Sequence, residues 1–347
     1  MKRAVLSLVE QAYRLDLSET EWMKALARHA GALTPGEDGA MVYSFDATQP
    51  EEGVGIDLHG SHDVPTTFTE ATLGLNGNSS PEEVAQFYHR GVLCGTVSET
   101  LRRAGSSPER NPRYAAHVAR QGYPDSFGLT ASSPLHRGVA VNAPLPGEMT
   151  LQPRVVYRWC QIGVHLQAAF RLRRAIRDGV SEPEVALDPE RGRLHWERGP
   201  TGEVPRDALC RAAQEIDHAR SRRGADAEVD ALDMWSGLVE GRWTLVESFE
   251  GGGKRLFLAY PNHVGLPNLR ALSERERQVV AYVVQGDANK WIAYQLGVRQ
   301  ATVARHLSTA LQKLGLRHRH ELIWFYHSLS RRRTGLTGPD KRSRKSE

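Results

Sequence analysis

No apolar run in this 347-residue sequence approaches the roughly 18 to 20 uninterrupted residues that a membrane-spanning helix requires, so no segment is expected to cross a bilayer. The opening MKRAVLSLVEQAYRLD lacks the long apolar stretch and small-residue cleavage site of a secretory leader, which makes the cytoplasm the expected location. Cysteine is scarce. Cys94, Cys160 and Cys210 are odd in number and far apart, which argues against a disulfide framework or a metal knuckle and leaves each as a small buried hydrophobe. Histidine is more plentiful, yet His59, His62, His89, His117, His136 and His165 have no spacing that builds a catalytic or metal constellation. No catalytic residue, metal or cofactor is assigned, and the chain is not expected to be an enzyme.

What is there is an ordinary globular composition, 40% hydrophobic and 25% charged, in a chain long enough for two to three domains. The net charge of +4 hides a split. Residues 1–267 carry 29 Lys/Arg against 35 Asp/Glu, whereas residues 268–330 carry nine against four and residues 331–347 seven against two. A basic end on an acidic body is the asymmetry expected where one end meets a polyanion.

Along the chain, apolar periodicity predicts helix over the first 30 residues with a break near Leu17-Ser18, then a strand at Met41, Tyr43 and Phe45. SPEEVAQFYHRGVLCGTVSETL reads as one helix, with Ser80 and Glu83 as a capping box and Pro81 at its first position. Strands are expected at DSFGLTAS and RGVAVNAP, and a long amphipathic helix from Val155 to Ile176, suited to a sheet or to a second subunit. EVALDPERGRLHWER then reads as a hairpin, 206–220 and 227–239 as helices, and RWTLVESFEGGGKRLFLAY as two strands around a glycine turn. GGGK is followed by Arg255 where a phosphate loop needs Ser or Thr, so it reads as turn. No sequence repeat is evident. This element order resembles small sensory folds of the GAF and PAS type. The expected class is α+β: a GAF-like sensory domain at 1–180, a PAS-like unit at 181–262, a linker at 263–269, an all-α four-helix unit at 270–330 and a disordered basic tail at 331–347.

The all-α unit carries the densest signal. Ser273 and Glu276 form a capping box, Val279, Val280 and Val283 face inward, and Gly286 stops the first helix. A two-turn second helix, Asn289 to Leu296, ends at Gly297; a third, from about Gln300 to Leu314, turns Val303, Leu307 and Leu311 inward and is ended by Gly315. The small Ala293, the glycine four residues later and the inward valines are the form of a helix-turn-helix.

From LSERERQVV to HRHEL the sequence resembles the C-terminal DNA-binding domain of LuxR-type transcriptional regulators, on Leu272, Arg275, Glu276, Gly286, Asn289-Lys290, Ile292-Ala293, Leu296, Thr302-Val303, His306, Lys313-Leu314-Gly315, Arg319 and Glu321. The resemblance implies a transcription factor that binds double-stranded DNA as a homodimer through its fourth helix, with RNA polymerase as a further partner and a small-molecule or protein signal at the other end. It places Thr302 and Lys313 on phosphates and Ala304, Arg305 and Ser308 at base edges, within a site that also takes in Lys290, Arg299, Gln300, His306 and Thr309. Arg299 stands where the family has a capping Ser or Thr, and Ala304 where it favours Lys. An acidic phosphoacceptor at Asp57 would need a doubly wound parallel sheet, which is not legible. His318 and His320 are two residues apart, which points them to different helix faces. The alternative reading is an adaptor whose basic helical end docks a protein; a polymerase specificity subunit would need a promoter-melting helical region that the strand-rich part does not supply.

Overall fold

The computed structural model describes residues 4–323 apart from 104, 107–109, 134, 191, 199–205, 222–231, 233, 234, 236, 240–242, 250–253, 262–271, 315, 317 and 321. The described residues form an α+β structure with two antiparallel sheets and a helical C-terminal unit. The predicted linker and basic tail, the glycine turn and Gly315 fall wholly or largely outside them.

Two helices open the chain, α1 (Ala4–Ala12) and α2 (Glu19–Gly31). Ser18 caps the second through a full capping box with Glu21, which fixes the break that the sequence places there. The first sheet follows: β1 (Ala40–Asp46), β2 (Gly55–His62), β3 (Val92–Thr96), β4 (Asp125–Ser132) and β5 (Arg137–Leu145), in the order β2-β1-β5-β4-β3. Between β2 and β3 lie α3 (Thr66–Gly77) and α4 (Pro81–Tyr88), and between β3 and β4 lie α5 (Val97–Arg103) and α6 (Pro112–Gln121).

Side-chain alternation sorts this sheet into two faces. Ala40, Val42, Phe127, Leu129, Val139 and Val141 join the core under α1 and α2, while Met41, Tyr43, Phe45 and Ala140 face the other way into a second cluster with Phe68, Val84 and Tyr88. Helices cover both faces, so β1 is buried along nearly its whole length. All described strand pairs are antiparallel, which excludes the doubly wound sheet that a phosphoacceptor at Asp57 would need. The single helix expected from Pro81 onward is instead helix, strand and helix. Gly91 takes a left-handed φ of 64° just after α4, and Val92 to Thr96 then pair with β4.

The long helix α7 (Pro153–Arg177) matches its expected span but not its expected stripe. Every residue from Trp159 to Phe170 is buried, on all sides of the helix, so α7 is an internal spine and offers no free face there to a second subunit. Gly163 sets how closely it lies on the sheet: a Cβ there would stand 2.7 Å from Val92 Cγ1 and 3.2 Å from Leu129 Cδ1.

A second sheet comprises β6 (Val185–Asp188), β7 (Arg193–Glu197), β8 (Leu238–Val239), β9 (Trp243–Phe249) and β10 (Arg255–Pro261), ordered β7-β6-β10-β9-β8. Taken by rank in the chain, that is the order of the first sheet, a structural repeat that the sequence does not display. Helix α8 (Arg206–Ser221) packs Leu209, Ala213 and Ile216 into the core shared with α1, α7 and the first sheet. The helix expected over 227–239 lies mostly outside the described residues; its last two positions, Leu238 and Val239, are strand paired to Thr244 and Trp243. Cys94 and Cys160 are buried as expected, while Cys210 is only half-buried.

Candidate nucleic-acid interface

The C-terminal unit holds three described helices, α9 (Glu274–Val284), α10 (Asn289–Leu296) and α11 (Gln300–Lys313). Ser273 caps α9 while the Glu276 carboxylate accepts from the Ser273 amide at 2.7 Å. Val279, Val280, Val283, Ile292, Leu296, Val303, Leu307 and Leu322 make a core separate from that of the sheets. Gly297 takes φ 61°, a left-handed turn that costs glycine least, and the small Ala293 lies buried one turn before it. Arg299 is the N-cap of α11 and its side chain makes no capping bond, as a donor-only guanidinium cannot.

This packing presents one side of α11 outward. Gln300, Ala304, Arg305 and Ser308 are exposed, while Thr302, His306 and Thr309 are half-buried. The Thr309 hydroxyl donates to the Arg305 carbonyl at 3.0 Å, and burial, with the charges of Arg305 and Arg275, lowers the His306 pKa, so its ring is a neutral hydrogen-bonding group near pH 7. Two lysines of the predicted site have partners within the chain: Lys313 Nζ donates to Glu276 at 2.8 Å, and Lys290 Nζ sits 4.5 Å above the ring of Tyr157 on α7. Arg299, Thr302 and His306 open onto a cleft of about 750 Å³ whose far wall includes Arg211 and Glu215 of α8. Arg317, a further cation of the basic C-terminal end, lies outside the described residues. The rings of His318 and His320 stack at 5.3 Å instead of diverging, because His318 sits in a bend before the helical turn.

Sequence reasoning missed how this unit docks on the spine. Tyr294 donates to the Leu232 carbonyl at 3.3 Å and lies 3.4 Å from His165 Nε2, while the Tyr13 hydroxyl lies 3.0 Å from His165 Nδ1. One imidazole thus joins α7 to α10 and to the turn that follows α1, and burial holds it neutral by lowering its pKa to about 3. Trp291 lies 5.2 Å from Tyr157, centroid to centroid, and Arg171 donates to the Tyr282 hydroxyl at 3.1 Å. Asp287 is buried where α9 turns into α10, close against Gly91; burial raises its carboxyl to about 7 although Gln295 Nε2 donates to it at 2.9 Å. A polar, aromatic α10 face was the only available signal, and it reads equally as solvent-facing.

The geometry agrees with what known proteins show. The family model for bacterial regulatory proteins of the luxR family matches residues 270–326, the span that contains this separate core. The spore germination protein GerE of Bacillus subtilis (strain 168) is 40% identical over 52 residues, which is 15% of this chain and 70% of the relative. The chain belongs to the luxR family. As a luxR-family protein it is a DNA-binding transcription regulator, with the likeness confined to its C-terminal unit. The two sheets lie outside the likeness. No helix among the described residues is long and apolar enough to cross a membrane.

Proposed function

We propose that this regulator reads duplex DNA with α11 in the major groove, Gln300, Ala304, Arg305 and Ser308 facing base edges, and that the two-sheet region senses a signal that controls the helical unit. The observation that carries the reading is the exposed Arg305, flanked by the small Ala304 and Ser308, so that its guanidinium is free to reach guanine in a bidentate manner. Lys290, Arg299, Thr302, His306, Thr309 and Lys313 serve to grip phosphates and set register, with Arg317 adding charge. Docking on α7 is the resting arrangement: it engages Lys290 through Tyr157 and turns Arg299 and Thr302 toward a cleft far smaller than a turn of duplex.

Titration of the full chain with random-sequence duplex tests this reading. Five cations, Lys290, Arg299, Arg305, Lys313 and Arg317, give an expected log–log salt slope of roughly −4 per protomer, so affinity falls by roughly 10²- to 10³-fold between about 50 and 200 mM salt. A chain with no duplex affinity that instead captures an acidic protein is the adaptor, and the reading is then wrong.

A further inference from the structure

Between the outer face of the first sheet and the helices α3 to α6 lies a partly open cavity of about 90 Å³. One water needs on the order of 10–15 Å³ by this measure, so the cavity has room for several atoms of an organic molecule. Its floor comes from alternate positions of two strands, Ser126, Gly128 and Thr130 on β4 and Asn142 on β5. The intervening Phe127, Leu129 and Val141 are apolar and pack in the opposite direction, into the main core. Hydroxyls and amides thus stand among apolar side chains in a partly enclosed space, where each that is buried costs free energy unless something bonds to it.

Two lining groups stand out. Thr72 on α3 and His117 on α6 are 5% and 6% exposed; Thr72 Oγ1 has no hydrogen-bond partner among the described residues, and the His117 ring, which bonds the Ala71 backbone and the Gln121 side chain, leaves Nδ1 without one. On another wall the polar groups are satisfied: Tyr43, Tyr88 and Asn76 close a ring of bonds of 2.7 to 3.0 Å. The lining is also uncharged in effect. Among the described residues it holds no Lys or Arg, burial lowers His117 to about 4, and its one carboxylate, Glu83, is occupied by Arg113 and the Ser80 amide.

We propose that this cavity is the binding site for a small uncharged organic molecule, an apolar ring or short chain that carries a hydroxyl or carbonyl, held by Thr72 and His117. A cation or anion there would lose hydration with no counter-charge to replace it. The proposal rests on the sensory reading of the two-sheet region and gives that region its ligand class. The route to the DNA-binding unit is short. Strand β4 lines the cavity with one face and meets Gly163 of α7 with Leu129 on the other, and two residues along α7 His165 faces Tyr294 of α10.

Three probes of one shape and different charge test the proposal on the full chain: benzyl alcohol, benzoate and benzylamine, followed by ligand-observed NMR and thermal shift. Benzyl alcohol is expected to bind saturably and to raise the midpoint, with both ions at least tenfold weaker. Gly128→Leu fills the floor, where a Cβ meets only Asn142 Nδ2 at 3.7 Å and the Gly95 carbonyl at 3.9 Å, and abolishes binding. Thr72→Val keeps the shape and removes the hydroxyl; it weakens binding several-fold and raises the midpoint of the free protein, and it decides the matter should Gly128→Leu fail to fold. Equal binding of all three probes, undiminished binding to Thr72→Val, or no binding of benzyl alcohol overturns the proposal, and duplex affinity in the same sample shows whether the DNA-binding reading survives. Binding that leaves duplex affinity unchanged upholds the site and overturns the sensory role.

Discussion

The two sheets are laid out alike, each a hairpin followed by a three-strand meander whose last strand returns beside the first. Each hairpin even shifts register at a matching place, its second strand carrying one extra residue: Asp57 opposite Ser44 and Phe45 in one, His195 opposite Ala186 and Leu187 in the other. Their coverings differ. The outer face of the first sheet meets four helices over a cavity whose lining mixes polar groups with apolar side chains, whereas α8 lays Leu209, Ala213 and Ile216 into the same apolar core as Val185, Leu187 and Phe257 of the second. Strand order alone therefore assigns no role. Polar residues at alternate positions of β4, with α3 and α6 held over them, separate a chamber from a filled core.

The largest expected effect breaks or upholds that contrast directly. Ile216 on α8 is fully buried, so Ile216→Ala is expected to cost about 2–5 kcal/mol in chemical denaturation. Thr72→Ala, at a site almost as buried, faces the cavity and loses no hydrogen bond to a described residue, so it costs less than about 1 kcal/mol. Equal costs would mean that the two coverings are packed alike.

Next in size is the contact between the first sheet and the helical unit. Asp287 has its pKa raised in the folded chain to about 7 from an ordinary 3.8, so the folded state holds a proton that the unfolded state releases between those values. Its favourable contribution is present below about pH 4 and is lost as pH rises through 7. Asp287→Asn is therefore expected to remove this pH dependence and to stabilise the chain by about 1–3 kcal/mol at pH 8, with little change near pH 4. Parallel denaturation curves of the two proteins at both pH values check it. His165 carries the opposite sign: its lowered pKa means that stability is lost as pH falls from about 6.5 toward 3.

The smallest effect is at the bridge. Tyr294→Phe removes a hydroxyl shared between His165 and the Leu232 carbonyl, worth about 0.5–1.5 kcal/mol, and random-duplex affinity rises by about two- to tenfold if docking restrains the DNA-binding unit. Unchanged affinity removes docking from the account.

Legibility in the sequence followed the range of the interactions. Capping boxes at Ser80 and Ser273, the break at Ser18 and the turn at Gly297 are local, and each appears where the sequence places it. The α10 and α11 starts and the outward Ala304, Arg305 and Ser308 followed from helical period, while Thr302, expected outward with them, is half-buried. Strand β3 did not, because Val92 to Thr96 are strand only through pairing with β4. The all-round burial of α7 also escaped notice, since Gln161, His165 and Gln167 look solvent-facing until the elements around them are placed. For the same reason neither the cavity nor the Asp287 contact was visible: each joins residues far apart in the chain.

The central claim is that α11 reads DNA through Arg305. It is tested by selecting a preferred duplex with the full chain, then measuring its affinity and that of a scrambled duplex for the parent chain and for Arg305→Ala at one salt concentration. The account predicts that the variant keeps its fold and its scrambled-duplex affinity to within a small factor while losing about 1–3 kcal/mol of preference. A variant that prefers the selected duplex as strongly as the parent chain contradicts the claim.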